Sequence, residues 1–247
     1  MRKNPKVSII TVCYNAEKLI ERTIKSVIVQ TYPNVEYLVI DGKSKDGTIE
    51  IIKKYQDKIS YWLSEPDESL YDAMNKGLKA ATGDYVWYVN AGDKIYDEHT
   101  LEKIMQEAEG TDFIYGDVVR MDDSGNQSGW HKKIPLPEKL TPKSFLNGMV
   151  ICHQSMIIKR EIAPEFSLSW RLANDIDWTI RVLKKAKSRQ YVRIPFCYFL
   201  EGGLSANNRW RAVKERFIIT KNHFGVIPVL MEQVKIGFQV LRRGGIS

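Results

Sequence analysis

The sequence predicts an α/β fold, with a mostly parallel central sheet flanked by helices and a C-terminal helical tail. Three observations lead there. Apolar β-rich runs alternate with helix-periodic stretches over the first 118 residues, the runs end in polar tips, and beyond Val118 the alternation fades into turn-rich chain. Ligands of open α/β sheets bind at such strand ends.

The elements follow in order. Val7 to Tyr14 reads as a buried strand, and Glu17 to Gln30 as a helix with Leu19, Ile20, Ile24, Val27 and Ile28 in one stripe. A second strand covers Val35 to Asp41, and a helix covers Thr48 to Tyr55, opened by Asp46-Gly47-Thr48 with Glu50 in its first turn. A strand at Ile59 to Leu63, a helix at Leu70 to Ala81, a strand at Tyr85 to Asn90, a helix at Leu101 to Ala108 and a strand at Phe113 to Val118 complete the first half. Next come a turn cluster at Asp122 to Asn126, the interruptions Pro135, Pro137 and Pro142, and a short helical piece at Ser144 to Asn147. A helix at Asp177 to Lys187 buries Ile176, Ile180 and Leu183, and a strand at Tyr191 to Leu200 runs into Gly202-Gly203. The expected organisation is 1–118 as one half of a catalytic domain, 119–205 as the other, and 206–247 as the tail.

Composition excludes several classes. At 247 residues, 43% hydrophobic and 27% charged, the chain is neither disordered nor a disulfide mini-scaffold. Cys13, Cys152 and Cys197 are odd in number and far apart, as expected of reduced, buried thiols in a cytoplasmic protein. The run after the basic start, Val7 to Val12, is too short for a signal peptide, and no stretch reaches the roughly 18 apolar residues of a membrane span. No GxGxxG or GxxxxGK[ST] follows the first strand, which disfavours a dinucleotide cofactor and a P-loop NTPase.

Three polar tips should meet in one crevice: Thr11 to Asn15, Asp41 to Thr48, and Asn90-Ala91-Gly92-Asp93. Asp41 suits a pyrimidine N3 hydrogen or ribose hydroxyls, and equally suits an Asx cap in its own loop. A nucleoside diphosphate held at such tips calls for a divalent cation bound by one or two carboxylates with water completing the shell. The second polar group is Ala173-Asn174-Asp175-Ile176-Asp177-Trp178 at a helix start; a carboxylate there can serve as a base or as a cap.

Taken together, Val7 to Asn15, Val39-Ile40-Asp41-Gly42 with Ser44, Asp46, Gly47 and Thr48, Tyr71 to Gly77, Gly83-Asp84 and Asn90 to Asp93 resemble the family 2 inverting glycosyltransferases, in the bacterial branch that assembles capsular, O-antigen or colanic-acid-like polysaccharides. The resemblance covers roughly residues 5 to 205. It implies a GT-A fold with a Rossmann-like sheet, a hexosyltransferase activity using a UDP- or GDP-sugar, and Mg²⁺ or Mn²⁺. Residue by residue, it places Thr11, Tyr14, Asn15 and Asp41 at the nucleotide, Asn75, Lys76, Asn90 and Gly203 near the diphosphate or donor sugar, and Asp93 on the metal. Asp175 becomes the base, with Asn174 standing where the family commonly has Glu; Asp177 is read as a charge partner of its helix, and His153 and Gln154 lie on the acceptor side. The family commonly has acids where this chain has Asn90 and Gly92. One carboxylate therefore remains, and a metal-independent reaction with Lys76 or an Arg screening the phosphate stays open. A glycan or polyprenyl-diphosphate-linked sugar is the implied acceptor.

Lys and Arg outnumber Asp and Glu by seven, and residues 201–247 hold eight basic and three acidic residues, five of that surplus. Val226 to Arg243 reads as an amphipathic helix whose apolar face includes Leu230, Met231, Val234, Phe238 and Leu241. Such a helix packs on the domain, pairs with a second copy, or docks on the anionic inner face of the cell membrane. A nucleotidyltransferase acting on sugar phosphates would need a basic Gly-rich loop after the first strand, and Tyr14 to Glu17 is unlike one. A basic nucleic-acid-binding protein fits the charge but lacks any helix-turn-helix, zinc or RNP pattern, so no nucleic-acid partner is expected. A catalytically dead lectin-like module is the remaining rival.

Overall fold

The computed structural model describes residues 4–122, 127–130, 136–201 and 208–242. Its strands are β1 (Val7–Cys13), β2 (Val35–Asp41), β3 (Tyr61–Ser64), β4 (Tyr85–Tyr88), β5 (Lys94–Ile95), β6 (Phe113–Met121), β7 (Gln127–Trp130), β8 (Met156–Lys159) and β9 (Arg189–Leu200). The helices are α1 (Ile20–Ile28), α2 (Thr48–Lys54), α3 (Leu70–Ala80), α4 (Thr100–Ala108), α5 (Asn174–Lys185), α6 (Arg209–Phe224) and α7 (Val226–Arg242). They build one sheet in the order β3-β2-β1-β4-β8-β6-β9-β5, with β7 alongside β6.

β1 is buried along its whole length because each face of the sheet carries a layer. Its side chains alternate: Val7 and Ile9 join α1 and α4 in one core, while Ile10 and Val12 join α3 and α5 in the other. Gly77 lets α3 lie down on β1, since a Cβ there would fall 2.5 Å from Ile10 Cγ2. In the second core Trp178 of α5 stacks on Phe166 with ring centroids 4.8 Å apart and meets Tyr88 edge-on.

The expected parallel sheet holds for β1 to β4. The rest is mixed. β8 slots between β4 and β6 antiparallel to both, β9 is parallel to β6, and β5 is antiparallel to β9. β8 has four residues, and a run so short carries no period that separates it from loop. α5 begins at Asn174, three residues earlier than its hydrophobic spacing suggests, because Glu215 of α6 accepts the backbone N–H groups of Arg171, Leu172 and Ala173 just ahead of it.

α6 falls within the expected helical tail, although the sequence assigned a distinct helix only to Val226 to Arg243. The apolar residues of α6 form no clean stripe, yet it is tied to α5 by those Glu215 bonds and by His223 Nε2, 2.7 Å from Asp177 Oδ1. α6 is thus joined to α5 and the chain before it by buried polar contacts as well as by sequence. α7 follows Gly225, which has φ +85° and ends α6. It buries Val229, receives a hydrogen bond from Asn147 on Glu232 at 3.0 Å, and leaves Ile227, Leu230, Met231 and Val234 exposed. No helix among the described residues is long and apolar enough to cross a membrane.

Candidate active site

Because β2 lies on one side of β1 and β4 on the other, the strand order reverses at β1, and a crevice opens beyond the carboxyl ends of β1 and β4. A cleft of about 650 Å³ occupies that place. Its walls include Tyr14 and Asn15 after β1, Gly42, Lys43 and Lys45 after β2, Pro66 and Asp67 after β3, Ser69, Leu70 and Ala73 of α3, and Asn90 and Ala91 after β4.

The β1 and β2 tips are laced together by backbone-to-side-chain bonds. Asn15 N donates to Ser44 Oγ at 2.8 Å, Lys45 N to Asn15 Oδ1 at 2.9 Å, and Ala16 N to Thr48 Oγ1 at 2.8 Å. Asp46 accepts from Thr48 N at 3.1 Å, the helix start read from the sequence. Asn15 and Lys43 sit at φ +48° and +63°, so both loop tips pass through the left-handed region that Asn tolerates and Lys rarely adopts.

Of the four nucleotide residues expected, Tyr14 and Asn15 line the cleft, while Thr11 and Asp41 lie buried behind it. Thr11 donates to Val89 O at 2.8 Å and accepts from Tyr37. Asp41 takes Ser44 N at 3.0 Å, the Ser44 hydroxyl, and the Ser64 hydroxyl at 2.6 Å, so both its oxygens are engaged in holding loops. Sequence reasoning missed Asp67. The Glu65-Pro66-Asp67 stretch after β3 carried a signal, an acid at a strand end, that was passed over.

Lys76 is held away from the expected phosphate contact. Its ammonium lies 2.7 Å from Asp67, 3.0 Å from Glu65 and 3.3 Å from Asp72. Burial alone would lower this ammonium, but its bonds to Asp67 and Glu65 overrule that and hold it above the usual lysine value. Asn75 is likewise committed: it donates to Phe166 O at 2.9 Å and accepts from Phe166 N at 2.7 Å, which ties α3 to the loop before α5.

After β4, Asp93 is buried and accepts from Gln154 Nε2 at 2.8 Å and Leu200 N at 2.9 Å. Burial raises its pKa to about 7 against those hydrogen bonds and the more distant charge of Arg22. Asn90 Nδ2 donates to His153 Nε2 at 3.0 Å, which places the neutral ring's proton on Nδ1; burial lowers that ring to about 4. Among the described residues, the buried Asn90 Oδ1 and Gln154 Oε1 have no hydrogen-bond partner. Mg²⁺ and Mn²⁺ prefer oxygen ligands; Asn90 offers one at the cleft wall, whereas Asp93 and Gln154 lie behind that wall, with one Asp93 oxygen on Gln154 and the other on Leu200 N. Among the described residues, no group of three His, Cys, Asp or Glu could hold a metal by itself. Gly203 lies outside the described residues.

Asp175 stands at the start of α5, partly buried. Burial raises its pKa to about 6, opposed by the N–H of Ile176 at 2.9 Å and the charge of Arg216. The Tyr71 hydroxyl meets the backbone of Asn174 and Asp175, and its neighbour Leu70 is a cleft wall, so the start of α3 joins the two places. Asp177 faces His223 and Arg181 instead, at 2.7 Å each, so beyond its place in the first turn of α5 it pairs with side chains of α5 and α6.

A nucleotide-sized cleft at the switch point of this sheet, with polar strand tips around it, defines a transferase of GT-A architecture. The sequence matches the model of glycosyl transferase family 2 over residues 8–166, and the chain belongs to that family and is a glycosyltransferase. It is similar to a glycosyltransferase of PGL/p-HBAD biosynthesis from Mycobacterium bovis, 29% identical over 213 residues that cover 81% of this chain and 79% of the relative. It is also similar to the teichuronic acid biosynthesis glycosyltransferase TuaG, described as putative, from Bacillus subtilis, 28% identical with 87% of each chain covered. Among solved structures, Staphylococcus aureus TarS residues 1–349 with UDP-GlcNAc superposes with a TM-score of 0.68 at 19% identity, covering 88% of this chain and 67% of that one. The mannosyltransferase PcManGT of Pyrobaculum calidifontis, with GDP-Man and Mn²⁺, gives 0.61 at 16% identity and covers 97% and 81%.

Proposed function

We propose that the protein is an inverting glycosyltransferase that moves a sugar from a UDP- or GDP-linked donor to a hydroxyl of a lipid-linked bacterial surface glycan, with Asp175 as base. The observation that carries this reading is a carboxylate, Asp175, at the start of a helix that Tyr71 ties to the wall of the cleft at the sheet's switch point, and burial lifts its pKa to about 6. At pH 7 such a group is mostly ionised, yet basic enough to accept a proton late in the reaction. The acceptor hydroxyl gives its proton to an Asp175 oxygen as its own oxygen bonds to the anomeric carbon. The bond from that carbon to the diphosphate oxygen breaks on the opposite face, so configuration inverts.

The other residues hold this geometry. Tyr14 and Asn15 line the nucleotide's place and Asn90 the diphosphate end, with Asp93 buried behind Asn90 and fixed by Gln154. A Mg²⁺ or Mn²⁺ held there by the Asn90 oxygen would neutralise charge on the leaving diphosphate. His153, neutral and bonded to Asn90, orients that amide and reaches toward the acceptor. Asn75 fixes the loop that leads into α5.

The lipid-linked acceptor is supported by the outer surface of α6 and α7. Trp210 is 88% exposed; Val213 and Phe217 on α6, and Ile227, Leu230, Met231 and Val234 on α7, also face solvent, alongside exposed Arg211, Lys214, Lys221 and Lys235. Apolar side chains with basic neighbours suit an anionic membrane interface. The protein would then act on the inner face of the cell membrane. The central experiment is a panel of nucleoside-diphosphate sugars with Mg²⁺ or Mn²⁺, read as release of nucleoside diphosphate. Slow release from one donor, accelerated by a polyprenyl-diphosphate-linked sugar, is expected; silence with every donor would sink the reading. Co-sedimentation with vesicles containing phosphatidylglycerol tests the surface: Trp210→Ser with Leu230→Ser should lower the bound fraction severalfold, and equal binding would remove the membrane from the account.

A further inference from the structure

We propose that Asp67, not Asp41, reads the donor's base, and that it selects bases carrying a ring N–H at the centre of their pairing edge, uracil or guanine. This rests on the nucleotide-sugar reading of the cleft. Asp41 has spent its oxygens on Ser44 and Ser64 and is fully buried behind the wall. Asp67 is itself a wall residue, beside Gly42, Lys43 and Tyr14 at the end of the cleft away from Asn90.

Its two oxygens have different tasks. Oδ1 accepts from Lys76 Nζ at 2.7 Å, which fixes the carboxylate's orientation; burial lifts the Asp67 carboxyl above its ordinary value, and the bond to Lys76 and its charge oppose that shift. Oδ2 projects over Gly42 into the space a side chain would take: a Cβ on Gly42 would lie 2.8 Å from it and 3.3 Å from Tyr14 Cδ2. Among the described residues no hydrogen bond reaches Oδ2. Gly42 has no positive φ to explain it, so the requirement it meets is this close approach of Asp67. Lys76 is thus a positioning residue acting through Asp67, and the ion-pair cluster of Glu65, Asp67, Asp72 and Lys76 gains a purpose.

The chemistry follows from the acceptor. An ionised carboxylate facing the middle of the base edge accepts the hydrogen of uracil N3 or guanine N1. Cytosine N3 and adenine N1 present a lone pair at the same point, which the carboxylate repels. Discrimination comes as much from that repulsion as from the bond.

Titration calorimetry with UDP, GDP, CDP and ADP on the full chain tests it. Wild type should bind UDP or GDP roughly tenfold or more tighter than CDP and ADP, the size of one charge-assisted hydrogen bond gained or lost. Asp67→Asn offers an amide donor to the ring lone pair, so the preference should shrink to within about threefold while the thermal midpoint stays close to wild type. Gly42→Ala, which crowds Oδ2, should weaken the preferred nucleotide without strengthening CDP. If wild type discriminates and Asp67→Asn discriminates equally, the base reader lies elsewhere and the inference fails while the donor assignment stands. If wild type binds none of the four and releases nothing from any nucleotide sugar, the donor assignment fails and takes this one with it.

Discussion

The two sides of the site are built in opposite ways. Around the cleft, acids are held in part by hydroxyls and N–H groups a few residues away, Asp41 by Ser44 and Asp46 by Thr48, with Ser64 and the Glu17 N–H closing the frame from the neighbouring strand tips. Behind Asn90 and ahead of α5 the partners come from far along the chain. Asp93 is held by Gln154 and Leu200, and the loop before α5 by Glu215. Local bonds make a frame that sets its own geometry. Long-range ones place carboxylates in the interior without a cation in contact, and burial then lifts Asp93 to about 7 and Asp175 to about 6. The β1 and β2 tips are organised to hold still, and the start of α5 is where the proposed reading moves a proton.

The most direct way to break that contrast is Asp175→Asn. Loss of the base should lower kcat by about 10²- to 10⁴-fold, with calorimetric nucleotide affinity changed by less than about threefold, since Asp175 is not a wall of the cleft. An equal loss of nucleotide binding would mean the two sides are not separable. The pH profile sharpens the same point. The active form of Asp175 is ionised and its pKa is raised to about 6, so kcat should fall close to tenfold per unit as pH drops below about 6, with that limb missing from the residual rate of Asp175→Asn.

Glu215→Gln probes the long-range construction. A neutral amide oxygen still reaches the N–H groups of Arg171 to Ala173 but no longer carries charge, so stability should drop by about 1.5–3 kcal/mol. Acceptor transfer should slow while hydrolysis of the donor persists. A variant that loses both activities together would contradict the division. The smallest effect is expected from Asp46→Ala, which removes a local helix-start bond and should cost about 1 kcal/mol in denaturant unfolding with little change in kcat.

The same contrast explains what could be read from the sequence. The β1 to β4 alternation, the Asp46-Gly47-Thr48 helix start and the apolar face of α5 are local patterns, and they appear in the structure at or near the expected positions. Membership in glycosyl transferase family 2 was legible for the same reason, because its motifs sit on strand tips. β8, α6 and the Glu215 clasp were not legible. β8 is too short for a period, α6 has no clean apolar stripe, and Glu215 acts 43 residues from Leu172. Within the cleft, the resemblance pointed to Asp41 and Lys76, whereas side-chain geometry turns Asp41 inward and gives Lys76 to Asp67. Motif position cannot show where a carboxylate spends its lone pairs.

Inserting β8 between β4 and β6 makes the sheet continuous from β3 to β5. A fused sheet has no hinge. Neighbouring strands lie about 4.8 Å apart, so the donor end at β4 and the chain that carries His153 and Gln154 into β8 sit at a spacing fixed by backbone pairing alone. The molecule is therefore built as a jig rather than a jaw: the spacing between these two strand ends is machined into the strand order.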